Sequence, residues 1–472
     1  MKKWIHSSEG VKFATSVPVL VIGGGACGLA AALAVRDGGE EVLVLEQDSQ
    51  PRGSTYMSQG SICAAGTQEQ RQHGVEDGPE QFYRDIVAKV DGRTDLGLAK
   101  AISQEAGPTL DWLTQRHDVV MRFDRSWRPA YGHTRARMHA PPRRCGEDLL
   151  NMLLGAAERA DVNILTSARV TELYASDDGN IAGASIERPD GERESVGCKA
   201  LVLACCGFGA NTEMIAQFIP EMRGAPYFGW EGNRGDAINW GIALGAAVGD
   251  MNAYQGLGLL AEQYGILVNP NILIEGGVQV NAAGRRFSHE LRDVSGQAAL
   301  VLAQPGGVAW VIFDERIHGL CEDLPEYSQL LALGAVRTAE SIDALAAQTQ
   351  LPADGLALTL KEIARYAIAA GSDPFGRSFD AHSPQAPYRA IRVTGALFHT
   401  QGGLQVDDSG RVRRVDGARL PNLFAGGGAA RSISGPGASG YLPGAGLCMA
   451  VTLGRLAGVA SAGLARQTGG AS

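Results

Sequence analysis

Three glycines and one carboxylate carry the first chemistry that the sequence offers. Gly23, Gly25 and Gly28 stand at GxGxxG spacing. In that pattern the first glycine makes a tight turn, the second lets backbone approach a pyrophosphate, and the third lets a helix pack on a strand. Glu46 follows about twenty residues on, where a carboxylate accepts hydrogen bonds from ribose hydroxyls. The set is that of a dinucleotide-binding turn. An arginine-rich stretch (Arg122, Arg125, Arg128, Arg135, Arg137, Arg143, Arg144) is either a solvated loop or a rim that steers an anionic cofactor or substrate. The eight cysteines (Cys27, Cys63, Cys145, Cys198, Cys205, Cys206, Cys321, Cys448) form no CxxC pair and no metal-ligand spacing, so no metal is expected. They read as buried thiols in a reducing cytoplasm.

These residues need particular elements beneath them. Val17 to Ile22 is a short β-rich run that stops at glycine, a buried strand. Leu29 to Arg36 is alanine-rich and helical, ended by Gly38-Gly39, and its N-terminal N–H groups aim at the phosphates. Val42 to Leu45 is a second strand that delivers Glu46. Residues 51 to 66 are small and polar, a loop whose backbone and hydroxyls wrap along a cofactor. From 78 to 119 the periodicity is helical, with Phe82, Ile86 and Val90 in one stripe. Cys145 to Ala160 is a helix, Val162 to Tyr174 contains strands, and Ile181–Glu187 with Glu194–Lys199 forms a hairpin through Pro189-Asp190-Gly191. Ala200 to Ala204 is a separate buried strand, and Gly235 to Ala247 is helical. Residues 251 to 398 lack fingerprint glycines and hold helices near Ser341–Ala347 and 357–370. The glycine idiom returns at 399, with a strand at Leu423–Ala425 and a helix from Gly444 to about Ser461.

The expected fold is α/β: a Rossmann-like cofactor-binding domain in two pieces (1–250 and 399–472) around an inserted α+β capping domain (251–398). A chain of 472 residues is too long for one simple core. With 45% hydrophobic and 20% charged residues it has the composition of a soluble globular enzyme. A net charge of −9 argues against a general nucleic-acid binder, which needs basic surface. Residues 16 to 35 carry no charge and resemble a signal peptide or membrane span by composition. The glycine spacing and the following strand and acid account for them better, so neither export nor a membrane is expected.

Several motifs in order resemble the flavoproteins of the fumarate reductase and succinate dehydrogenase type, a family that also contains 3-ketosteroid dehydrogenases. The pieces are the fingerprint with Glu46, Gly53 to Thr67, Ala204 to Asn211 and Gly235-Asp236-Ala237 to Asp250. They continue with Val280-Asn281 through Gly284-Arg285-Arg286-Phe287 to Glu290, then His399-Thr400-Gln401-Gly402-Gly403, and finally Gly444-Ala445-Gly446. The resemblance implies FAD and hydride transfer between flavin N5 and a substrate carbon, with proton transfer at the adjacent carbon. It places cofactor contacts on Gly23, Gly25, Ala26, Cys27, Gly28, Glu46, Gln47, Gly53, Ser54, Thr55, Ser58, Gln59, Gly60 and Ser61. It adds Val170, Ala204, Gly207, His399, Gly427, Gly444, Ala445, Gly446 and Leu447. Covalent members attach flavin through a histidine whose position is Ser54 here, so FAD is expected to be non-covalent. Gly428 stands where the family usually has a cofactor-contacting glutamate.

Departures from the family decide the substrate class. The histidine before the His-Thr-x-Gly-Gly turn is Phe398, and the arginine before the last glycine turn is Tyr441. The proton-shuttle arginine aligns with Val294, and Arg292 takes its place only in a shortened loop. The preceding acid and arginine map to Pro270 and Leu273. Two carboxylates would lose their charge-assisted donors, each on the order of 2 kcal/mol in a closed site. Gly440-Tyr441-Leu442-Pro443-Gly444 is similar instead to the turn by which ketosteroid dehydrogenases hold a substrate carbonyl, with Phe398, Tyr441 and Gly444 as substrate contacts. A phenol there, beside the N–H groups of residues 444 to 446, polarises a ketone. The steroid enzymes' second tyrosine is missing, which leaves Tyr131 and Tyr254 as candidate bases. The expectation is a cytoplasmic FAD-dependent CH–CH oxidoreductase acting on a carbocyclic ketone, from a substituted cyclohexanone to a 3-ketosteroid. Two alternatives stay open: a reductase of an unsaturated acid using Arg292 and the arginines near 135, and a flavin-binding protein without turnover.

Overall fold

The uncharged run that imitates a membrane span is a strand and a helix of the core. In the computed structural model, which describes residues 4–125, 128–369, 371–379 and 382–469, Thr15–Ile22 is a strand and Ala26–Asp37 a helix. The helix is buried continuously from Ala26 to Val35. Thr15–Ile22 pairs in parallel with Val42–Leu45 on one side and with Arg193–Leu203 on the other. Asn163–Leu165 and Arg419–Ala425 extend the sheet outward, also parallel. Near-continuous Val, Leu and Ile in these strands suits a sheet covered on both faces. Their carboxyl ends, at Ile22, Leu45, Leu203 and Ala425, gather on one edge, the place where open α/β sheets bind ligands.

Arg193–Leu203 is one strand of 11 residues, not a hairpin arm followed by a separate strand. No turn residue separates Lys199 from Ala200, so its first half pairs antiparallel with Ile181–Glu187 while its later residues run parallel to Thr15–Ile22. The stretch 51–66 is more ordered than a loop: Gly53–Met57 is a helical turn, and Ile62–Cys63 pairs with Met138–Ala140. The last helix spans Ala445–Gly469 rather than stopping near Ser461. Ser461 Oγ donates to Gly458 O at 3.1 Å, so its hydroxyl is satisfied within the helix and does not end it. This helix packs tightly on Ala26–Asp37 through glycines: a Cβ at Gly454 would lie 2.3 Å from Cys27 O. Ala445–Thr468 is long and apolar enough to cross a membrane by composition, yet more than half of its most apolar window is buried in the fold.

A second sheet runs from Tyr254 to Thr400. Tyr254–Ala261 and Val308–Asp314 flank the long strand Tyr388–Thr400, Val278–Val280 pairs outside Val308–Asp314, and Arg337–Ala339 pairs directly with the start of the long strand. Ile342–Thr349, capped by Ser341 Oγ at 3.2 Å, and Ala353–Ala369 share a separate core built on Leu345, Leu356 and Ile363. The strand Tyr388–Thr400 runs through position 398 without a break, so Phe398 and His399 reach the cleft between the lobes on the end of a capping strand.

Candidate active site

One cleft runs from the glycine turn to Tyr441, and its two ends differ in chemistry. At the glycine turn, Gly23 sits at φ +110° and a Cβ would lie 2.5 Å from Ala204 O, so only glycine closes it. A Cβ at Gly28 would fall 1.9 Å from Gly23 O, which keeps the helix against the strand. Gly25, the N-cap of Ala26–Asp37, has no side-chain cap, and the first turn holds no acid. The positive end of the helix dipole is therefore open to an anion. Ala26 N–H donates to Thr55 Oγ1 at 3.0 Å, tying Gly53–Met57 to the same turn. Glu46 Oε2 accepts from Gly24 N–H at 2.8 Å and Oε1 from Asp48 N–H at 3.0 Å. Burial raises the pKa of this carboxyl above its ordinary value, against the pull of those N–H groups. Gln47, Asp48, Arg169, Val170, Trp230 and Asp236 complete this end, where Trp230 Nε1 donates to Asp48 Oδ2 at 3.0 Å.

The other end is apolar. Leu257, Leu267, Pro270, Val294, Phe228, Phe398 and Met138 line it together with Tyr131, Tyr441, Gln255 and His399. The charged lining residues of the cleft (Glu46, Asp48, Arg169, Asp236) all belong to the glycine-turn end, among the described residues. Burial pushes the Tyr441 phenol up, so it holds its proton at neutral pH; the Gly446 and Gly444 N–H groups act in the opposite sense. Its ring meets His399 edge-on at 5.9 Å. Burial pushes His399 down to about 4, leaving a neutral imidazole. Ser434 Oγ donates to Gln401 Oε1 at 3.0 Å and Gln401 Nε2 donates to His399 Nδ1 at 2.7 Å. His399 Nδ1 also lies 3.3 Å from Thr400 O, and Nε2 is the nitrogen beside Gly446.

Most residues expected at the cofactor line this cleft: Gly23, Gly25, Ala26, Cys27, Glu46, Gln47, Gly53, Ser54, Thr55, Ser58, Gln59, Ser61, Val170, Ala204, His399, Gly427, Gly444, Gly446 and Leu447. Four do not. Gly28 packs on Gly23, Gly207 on Thr400 and Gly60 on Pro141 and Cys145 O, while Ala445 is fully buried at the helix start. Two candidate catalytic residues are also displaced. Tyr254 is buried in a separate cluster with Phe208, Ile238 and Leu397, because the strand presents the neighbouring Gln255 and Leu257 to the cleft. Arg292 is exposed outside the cleft, and its carbonyl accepts from Lys89 Nζ at 3.1 Å; Val294 occupies the lining position. The arginine stretch is structural where it is buried: Arg137 binds Asp77 and Asp85 at 3.0 and 2.7 Å.

The sequence profile of the FAD binding domain matches residues 18–448. The chain belongs to the FAD binding domain family. With it come the FAD-dependent oxidoreductases that act on CH–CH bonds. A probable fumarate reductase of Shewanella frigidimarina is 28% identical over 93% of this chain and 74% of its own length. The open conformation of a flavocytochrome c3 fumarate reductase matches at 27% identity with TM-score 0.79, covering 96% of this chain and 79% of that one. A 3-ketosteroid-Δ4-(5α)-dehydrogenase of Rhodococcus jostii, at 24% identity and TM-score 0.76 over 97% of this chain and 99% of that one, shares the fold.

The residues present fit FAD. The uncapped helix start would take the pyrophosphate and Glu46, with Gln47 beside it in the cleft lining, would serve the ribose hydroxyls. Sequence reasoning missed Asn233, which is buried and donates from Nδ2 to Ser54 Oγ and to Tyr227 Oη, both at 2.9 Å. It also missed Gln255 and Leu257. A lone asparagine in a glycine-rich loop carries no spacing signal, and strand alternation alone does not say which face meets a ligand.

Proposed function

We propose that this flavoenzyme interconverts a carbocyclic ketone and its conjugated enone, using non-covalent FAD. When bound, the flavin supplies the two-electron donor or acceptor for hydride transfer at the β-carbon. The observation that carries the reading is the wall around Tyr441: phenols, hydrocarbon and the neutral side chains of Gln255 and His399, with no charged side chain among the described residues there. Tyr441 donates a hydrogen bond to the substrate carbonyl, and the N–H groups at the helix start share the charge that develops on oxygen. Phe398, Leu257, Val294 and Leu267 exclude water and hold a ring by contact rather than by ion pairing. Ser54, with its hydroxyl engaged by Asn233, supports a flavin held without a covalent bond. Denaturation should therefore release the cofactor into the supernatant. Eight free thiols support a reducing compartment, the cytoplasm.

Anaerobic titration tests the reading. Substituted cyclohexanones or 3-ketosteroids should reduce the bound flavin, or the matching enones should reoxidise it. Failure of every member of both series would remove the proposal. The sequence relatives named as fumarate reductases keep a second reading in view, reduction of an unsaturated acid. Reoxidation of the reduced enzyme by fumarate, urocanate or an acrylate-type acid would favour it. The exposure of Arg292 and the apolar lining weigh against it.

A further inference from the structure

Tyr131 combines three features at one residue. It lines the cleft at the Tyr441 end, its hydroxyl is buried with no hydrogen-bond partner among the described residues, and its backbone adopts φ +57°, in the left-handed region that an aromatic residue rarely enters. Strain and an unsatisfied polar atom persist together only where the surroundings impose them. Here the neighbouring residues do so. Gly132, at φ +110°, leaves no room for a side chain: a Cβ would lie 2.8 Å from Lys89 Cδ and 2.9 Å from Leu442 Cδ2. His133, pushed down to about 4 by burial, is neutral and donates from Nε2 to Pro443 O at 2.9 Å, while its Nδ1 faces Arg137 Nη1 at 3.4 Å. Thr134 N–H donates to Asp85 Oδ2 at 2.9 Å, and Arg137 holds the same carboxylate. The loop that carries Tyr131 is thus fastened directly to the turn that carries Tyr441.

We propose that Tyr131 is the proton donor of the reaction, delivering its hydroxyl proton to the carbon next to the carbonyl held by Tyr441. This rests on the carbonyl reading above and fills the role that reading leaves open. In the reducing direction, hydride arrives at the β-carbon and the C=C electrons move toward the carbonyl, giving an enolate hydrogen-bonded to Tyr441. The electron pair at the α-carbon then takes the proton of Tyr131. The O–H bond breaks, an α-C–H bond forms, and the negative charge stays on Tyr131 Oη until water returns a proton. Desaturation follows the same steps in reverse. Burial keeps the phenol protonated, the form that donates. Arg377, whose own Nε is buried with no partner among the described residues, is the positive group acting on that oxygen, opposed by Glu290 and Asp293. Tyr254, the rival tyrosine, faces another cluster and has no access to the cleft.

The holoenzyme with Tyr131→Phe tests the assignment. Turnover of the enone should fall about 10²- to 10⁴-fold. Ketone binding, read from the perturbed flavin spectrum, should stay within about threefold of native, and flavin content should not change. Deuterium from heavy water should exchange into the α-position of the bound ketone with the native enzyme, at a rate that falls in parallel with turnover in the variant. Turnover within about threefold of native would overturn the proposal. If the variant loses flavin or fails to fold, 3,5-difluorotyrosine placed at position 131 keeps the shape and lowers the phenol pKa; an unchanged rate there overturns the proposal as well. A native enzyme that binds no ketone or enone would instead sink the carbonyl reading, and this assignment with it.

Discussion

The two ends of the cleft solve binding by opposite means. At the glycine turn the ligand contacts are backbone N–H groups, a helix dipole and carboxylates, and geometry is set by positions where any Cβ would collide. At the Tyr441 end the lining is side chains, mostly hydrocarbon, and the proposed specificity rests on what is missing among the described residues: a charge facing the cavity. Charge is present at this end, but one layer back. Glu290 is fully enclosed with Arg286 and Arg377 at 2.6 and 2.9 Å, and Arg377 Nη2 also donates to Leu273 O at 2.8 Å. Burial alone would raise the Glu290 carboxyl; Arg377 and Arg286 overcome that and hold it at about 2. Arg286 and Arg377 are therefore kept in the wall while aliphatic groups face the cavity.

Substitutions can break this contrast at different strengths. The largest effect is expected at the glycine end. Gly28→Val places a branched side chain where one Cβ would already lie 1.9 Å from Gly23 O, and the flavin-to-protein ratio after desalting should fall to near zero. Next is the buried wall. Glu290→Gln leaves the Arg377 guanidinium without its anion and Arg286 with Asp373 alone, and should cost about 3–5 kcal/mol of stability in denaturant unfolding. Because the folded pKa of Glu290 lies below its ordinary value of 4.5, its contribution is present above pH 4.5 and lost as pH falls toward about 2. Acid unfolding of the native protein should show that loss, and Glu290→Gln should flatten it.

At the cavity surface, Tyr441→Phe should lower turnover about 10²-fold with flavin content unchanged. An unchanged kcat would make Tyr441 a packing residue and erase the functional difference between the ends. Val294→Arg tests the charge argument itself: it should cut carbonyl turnover by about tenfold and let fumarate perturb the flavin spectrum. No response to fumarate would show that the missing cation is not what separates the two substrate classes. The smallest effect belongs to Thr55→Val, which removes the acceptor of Ala26 N–H and should lower stability by about 1 kcal/mol, with a few-fold weaker retention of flavin.

Glycine spacing, apolar runs and residue type determined much of this protein without coordinates. Gly23, Gly25 and Gly28 announce the cofactor turn because their roles are backbone roles, set by local geometry within one strand–turn–helix unit, and Glu46 because its carboxylate stands just after the next strand. The same holds for Tyr441, whose place at a glycine-opened helix start is legible from its neighbours. Tertiary structure alone decided the rest of the substrate end. It chose Leu257 and Gln255 over Tyr254, since pairing with Tyr388–Thr400, with register shifts after Gln255 and Leu257, sets which face of that strand meets the cleft. It put Val294 inside and Arg292 outside, and it brought Tyr131 to Tyr441 from about 310 residues away through the bond between His133 and Pro443. Local conformation follows from neighbouring residues; which side chains share a cavity follows from contacts distant in sequence, and no spacing rule encodes those.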